Sequence, residues 1–181
     1  VQSGTRTAPN APTWTVRGSS NGTLDASGTA LFMSSSGGTS LDNKCLDAPF
    51  TQATGSIRFK VKPIYMTGIV DGDGATVLFA GYQAITYPGI TPIMKGYGLF
   101  FDAYNTRVAL CRFDTTNQAS RVVLGYVAGI NIGVEDTWAI ERDGSGNMTV
   151  YKNGVSVITA TDNTYATVAV FGFACENISN S

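Results

Sequence analysis

The residue types best suited to chemistry are sparse in this 181-residue chain, and histidine is absent altogether. Without imidazole there can be no Ser-His-Asp or Cys-His constellation, no histidine general base and none of the common histidine-containing zinc sites. The only glutamates are Glu135, Glu141 and Glu176. A retaining glycosidase needs two carboxyl groups roughly 5 Å apart on one face. Glu135 and Asp136 are adjacent, so along a strand they diverge, and the i+2 acidic neighbour of Glu141 is Asp143, at a Gly-rich turn. The expectation is a protein that is not an enzyme. Cleavage of polysaccharide would have to rely on a Tyr base beside Arg or Lys. Cys45, Cys111 and Cys175 are too widely spaced for a CxxC metal or redox motif and allow at most one intramolecular bridge.

Binding chemistry is better represented. Asp71 and Asp73, in Asp71-Gly72-Asp73-Gly74, offer two carboxylates to Ca²⁺ as a cofactor. Ca²⁺ takes roughly six to eight oxygens, and the apolar run that follows supplies none, so the simpler reading is a Gly-rich connection. Arg58, Lys60 and Lys62 alternate with Ile57, Phe59 and Val61. They form a basic row suited to an acidic polysaccharide or to protecting an outer sheet face from aggregation. The connection Tyr82 to Tyr97 carries Ile85, Tyr87, Ile90, Ile93 and Met94 where a loop should be polar. These residues either fold back over the core or meet a neighbouring copy or receptor. Tyr82, Tyr87, Tyr97 and Tyr104 offer rings on which a sugar can stack, with Asp102 and Asn105 as hydrogen-bonding groups.

These residues must be positioned by strands. Charged residues are only 14% of the chain and the net charge is -1, so no field draws nucleic acid or an anionic membrane. No apolar run nears the roughly 18 residues that span a bilayer, so no membrane insertion is expected. Residues 1–12 read as an extended arm and 13–181 as one domain. The chain opens on Val1, as a processed protein or a segment of a longer one would. Short β-rich runs follow at Ser56–Lys62, Thr76–Tyr82, Gly96–Tyr104, Arg107–Phe113, Arg121–Val127, Thr137–Arg142, Met148–Lys152, Val155–Ala160 and Thr167–Glu176. Weaker ones lie at Thr13–Gly18 and Thr29–Ser34. Roughly ten strands of this length need two packed sheets or a barrel to bury their apolar faces. Asn153-Gly154 is the preferred pair for a two-residue type I′ hairpin turn.

The run WAIERDGSGNMTVYKNGVSVI, Trp138 to Ile158, resembles the penultimate hairpins of laminin-G-like domains in the concanavalin A-like lectin/glucanase superfamily. GSIRFKVKP, TVLFAGY and GYGLFFDAYNTRVALCRFD fall upstream in that family's strand order, and the resemblance covers about residues 40 to 176. It implies an all-β, two-sheet antiparallel jelly-roll sandwich. It also implies that Cys45 and Cys175 lie in neighbouring strands, where they are either bridged or two buried thiols. The superfamily's E-x-D-x-x-E glucanase motif is absent. APNAPTWTV, Ala8 to Val16, resembles the lead-in to sandwich domains of bacteriophage tail and fibre proteins. The expected function is a non-enzymatic module that binds a surface glycan, carried by a virion fibre or tail or another extracellular assembly. The alternative is a structural subunit that self-associates through residues 82–97 and the N-terminal arm.

Overall fold

The computed structural model describes residues 15–18, 23–25, 32–34, 44–51, 53–62, 74–83, 94–102, 104–114, 121–131 and 134–176, and among them every regular element is a strand. The arm, Asp71, Asp73 and Tyr87 lie outside the described residues. In chain order the strands are β1 (Thr15–Gly18), β2 (Thr23–Asp25), β3 (Phe32–Ser34), β4 (Lys44–Pro49), β5 (Gly55–Val61), β6 (Gly74–Gly81) and β7 (Gly96–Asp102). There follow β8 (Arg107–Phe113), β9 (Val122–Ala128), β10 (Asp136–Arg142), β11 (Asn147–Lys152), β12 (Val155–Thr161) and β13 (Val170–Glu176). The larger sheet has seven strands in the order β1-β4-β13-β6-β7-β8-β9, the smaller has four in the order β12-β11-β10-β5, and β2 pairs with β3 as a ribbon. Every pairing is antiparallel. The expected all-β, two-sheet sandwich is the architecture found.

The smaller sheet follows its sequence pattern. In β5, Ile57, Phe59 and Val61 turn inward while Arg58, Lys60 and Lys62 are exposed. Trp138 and Ile140 on β10 and Met148 and Val150 on β11 are all at most 2% exposed and share the inner face. The β11–β12 turn has positive φ at both central residues, Asn153 at 50° and Gly154 at 85°, as a type I′ turn requires. Asn153 further secures it, donating from Nδ2 to Asp136 at 2.8 Å and accepting the Thr137 N–H at 2.9 Å.

Between the sheets, Val77, Phe79, Leu99, Phe101, Val108 and Leu110 meet Trp138, Ile140, Met148, Val150 and Ile158. Phe101 and Trp138 meet edge to face at 5.6 Å, a geometry worth about 1 kcal/mol beyond burial. At Gly125 the sheets come so close that a Cβ would lie 2.7 Å from Ile158. Leu78, Met94, Phe100, Ala109, Cys111, Phe113, Val170 and Ala174 form a second cluster on the outer face of the larger sheet. Strand β7 is therefore buried on both faces and reads as a nearly unbroken apolar run.

Residue patterning alone misses two strands, β2 and β4, although the family resemblance already puts Cys45 and Cys175 in neighbouring strands, and β4 and β13 are such neighbours. Lys44-Cys45-Leu46-Asp47-Ala48-Pro49 has no alternation, because the adjacent Asp47 and Ala48 are both buried. Pairing of β4 with β13 places Cys45 opposite Ala174 and Lys44 opposite Cys175. The two cysteines are thus one pair out of step, not directly opposed as in a cross-strand disulfide. Cys111 is a free, fully buried thiol that burial pushes up to about 12, which makes it inert.

Candidate functional site

The sequence-selected residues that the structure describes fall in three separate places. Tyr97 and Asp102 mark the two ends of β7, and the basic row occupies the outer face of β5 in the other sheet.

At the Asp102 end, the β7–β8 hairpin is built around one buried carboxylate. Asp102, 0% exposed, pairs across the hairpin with Arg107, and Thr106 in the turn between them takes φ 48°. Asp102 Oδ1 accepts the Asn105 backbone N–H at 3.0 Å. Its Oδ2 accepts Asn105 Nδ2 and Arg107 Nε, each at 2.9 Å. Burial alone would raise this carboxyl, but the hydrogen bonds from Asn105 and Arg107 outweigh it and hold the group below its ordinary range. The Gly129 N–H donates to Thr106 O at 2.7 Å and ties the end of β9 to the same turn. Register places Tyr126 of β9 opposite Ala109, and the Arg107 guanidinium lies 5.2 Å from the Tyr126 ring centre. Tyr104 is 55% and Tyr126 59% exposed, so a fixed polar core carries two open aromatic rings.

The Tyr97 end is closed. Tyr97 is 0% exposed; its hydroxyl donates to Asp162 Oδ1 at 2.6 Å and accepts the Tyr165 N–H at 3.2 Å. Arg112 donates to Asp114 from Nε and Nη2 at 2.8 and 3.0 Å, and from Nη1 to Asp162 and to Thr164. Arg142 donates to the carbonyls of Ala53 and Tyr165 at 2.6 and 2.7 Å and lies 5.2 Å from the Tyr97 ring centre. Burial opposes ionisation of Asp162, yet hydrogen bonds from Tyr97, Thr164 and Arg112 bring it down to about 2. Tyr82, 46% exposed, leans on Tyr165 with ring centres 5.2 Å apart.

Two expectations are corrected by burial. Tyr97 cannot offer a stacking face, because both its ring and its hydroxyl are inside this clamp. Asp102 cannot hydrogen-bond a ligand at the surface, since its oxygens are turned inward onto Asn105 and Arg107. Tyr104 and Asn105 are brought together with Asp102, while Tyr82 lies at the opposite end of the sheet. Sequence reasoning missed Arg107 and Tyr126. The spacing Asp102-x-x-Asn105-x-Arg107 across a hairpin could have flagged Arg107, whereas Tyr126 joins it only through the β8–β9 register.

On β5, Lys60 forms an exposed bridge with Glu135 at 2.6 Å, and farther along the same sheet the Tyr151 hydroxyl donates to Glu141 at 3.0 Å. Among the described residues no three acidic or thiol side chains converge on a metal-sized site. Two recesses, of about 20 and 10 Å³, each hold no more than about one water, so a ligand at either would have to sit on the surface.

No protein-family model matches the chain, and no curated protein sequence does. Solved structures do. A carbohydrate binding module, CBM66 from Bacillus subtilis, superposes with TM-score 0.62 at 15% identity over 93% of this chain and 94% of its own. The exoplasmic/lumenal domain of VIP36 in its Ca²⁺/Man3GlcNAc-bound form gives 0.61 at 12% identity over 93% and 78%. A family 16 glycoside hydrolase, an endo-glucanase from Bacteroides ovatus, gives 0.54 at 11% identity over 91% and 80%. At such identities likeness speaks to fold alone, and the fold is a concanavalin A-like, legume-lectin-like jelly-roll sandwich.

Proposed function

We propose that this domain is a non-enzymatic glycan-binding module whose ligand lies on the β7–β8 hairpin and the neighbouring face of β9. The observation that carries the reading is the pair of half-exposed rings, Tyr104 and Tyr126, beside an arginine fixed by a buried aspartate. A sugar's C–H face stacks on such rings, and its hydroxyls need hydrogen-bonding groups held in place beforehand, so that little ordering cost falls on binding. The neighbours described as a carbohydrate binding module and as a Man3GlcNAc-bound lumenal domain support the same class.

Because a glucanase shares the fold, cleavage is the reading to weigh against binding. A glycosidase acid needs a raised carboxyl. Asp102, Asp143 and Asp162 are all held below their ordinary range by their hydrogen bonds. A tyrosine base needs a lowered phenol. Tyr97 and Tyr165 are raised, mainly by burial, and Tyr151 is raised, mainly by its bond to Glu141. None of these groups is shifted in the direction that a glycosidase acid or a tyrosine base needs.

We place the module on an extracellular assembly, a virion fibre or tail included, on the likeness of Ala8 to Val16 to fibre-domain lead-ins. The laminin-G-like assignment rests likewise on the hairpins from Trp138 to Ile158. Self-association through residues 82–97 is the competing reading. Met94, an apolar residue of that segment, is 2% exposed and covers the chain's own larger sheet, which weakens it.

The test is a broad glycan array followed by calorimetry on the wild type and on Tyr104→Ala and Tyr126→Ala. Saturable binding by a monomer, weakened about tenfold in each variant, supports the module. A blank array from a monomer removes it, and release of reducing ends that depends on Glu141 replaces it with an enzyme.

A further inference from the structure

We propose that Arg107 makes this surface selective for sugars bearing a carboxylate, a uronate or sialate residue rather than a neutral hexose. This rests on the glycan-binding reading above. A guanidinium carries five N–H donors in a planar fork. Arg112 has Nε, Nη1 and Nη2 all engaged within the chain, and Arg142 has both Nη groups engaged. Arg107 differs from both: its Nε donates to Asp102, and its Nη groups have no hydrogen-bond partner among the described residues.

The consequence is geometric. Asp102 grips the Nε side of the guanidinium from inside the sheet, so the plane is fixed and the unused edge is the Nη1–Nη2 pair. That pair matches a carboxylate bidentately, the strongest and most directional use of arginine at a surface. The side chain is 26% exposed, so the edge is reachable. Tyr126, 59% exposed, lies under the same guanidinium at 5.2 Å and can hold the ring that carries the carboxylate. The hydrogen bonds from Asn105 and Arg107 hold the Asp102 carboxyl below its ordinary range, so Asp102 is ionised and grips Nε at neutral pH. The basic row Arg58, Lys60 and Lys62 lacks these features. It is exposed and lies on the other sheet, and Lys60 is already paired with Glu135.

The experiment compares matched ligands differing only at the carboxyl group. Oligogalacturonate, oligoguluronate and sialyllactose are each titrated beside their carboxyl-reduced counterparts. The expected result is at least one acidic ligand bound tenfold or more tightly than its reduced form, with the preference falling as salt rises. Arg107→Gln should erase the preference, bringing each acidic ligand and its carboxyl-reduced counterpart to the same affinity. Arg107→Lys, which keeps the charge beside Asp102 and protects the fold, should retain only a fraction of it. Arg58→Gln with Lys60→Gln should leave it unchanged. Equal binding of acidic and reduced ligands by the wild type overturns this inference and leaves the glycan-binding reading standing. A preference that survives Arg107→Gln, or disappears with the β5 pair, also overturns it. Absence of binding to any glycan, neutral or acidic, overturns both.

Discussion

The two ends of β7 use the same residue types to opposite effect. At the Tyr97 end a tyrosine, two aspartates and two arginines close on one another, with Arg112 bonded through all three of its nitrogens. At the Asp102 end an aspartate, an arginine and two tyrosines are arranged so that the carboxylate is inside while the rings and the arginine fork face out. Residue type does not separate these sites; the direction in which each donor is satisfied does. Arg112 is bonded through Nε, Nη1 and Nη2, whereas Arg107 bonds through Nε and its Nη groups have no hydrogen-bond partner among the described residues.

Arg112→Ala tests this contrast most severely. It leaves Asp162, with a side chain 10% exposed, beside Asp114 without their common cation. Stripping one partner from such a network should cost about 3 kcal/mol in urea denaturation. Ligand affinity per folded molecule should not change; if binding falls and stability does not, the two ends have been assigned the wrong way round.

Acid should act at the closed end next. The Asp162 carboxyl is about 2 when folded against 3.8 when free, so its contribution is complete above about pH 4. It is lost as pH falls through that window, on the order of 2 kcal/mol in all. Asp102, also held low, acts in the same direction. In Asp162→Asn the acid limb of a stability–pH profile should flatten. An unchanged limb would mean that other carboxylates drive the acid transition.

At the open end, Tyr126→Ala should weaken glycan binding about tenfold, or 1.4 kcal/mol, while shifting stability by less than about 0.5 kcal/mol. A thermal melt and a titration on the same sample separate the two effects. Smallest of all, Lys60→Ala on β5 removes an exposed bridge and should change stability by under about 0.5 kcal/mol and affinity not at all. A measurable loss of affinity there would move the binding surface to the other sheet.

Much of the fold is legible in the residues because it is local. Alternation in Ser56–Lys62, the Asn153-Gly154 turn and the shared face of Trp138, Ile140, Met148 and Val150 each depend on a few neighbours in sequence. Strand β4 is not legible, because burial of both Asp47 and Ala48 comes from strands far along the chain. The site divides in the same way. Asp102 and Asn105 could be picked out as polar groups at a hairpin. The burial of Tyr97 could not, since its partner Asp162 lies 65 residues away. Tyr126 becomes a neighbour of Arg107 only through a register that contains a bulge between Leu110 and Cys111.

The position of β13 constrains the order in which the protein can be made. It lies between β4 and β6 and is translated after both. The meander β6-β7-β8-β9 can begin to pair as it leaves the ribosome, but β4 and β6 have no strand between them until Val170–Glu176 has emerged. Each then waits with an open edge of the kind that invites mispairing. Completion of the larger sheet therefore waits for Val170–Glu176, the strand that joins β4 to the β6-β7-β8-β9 meander.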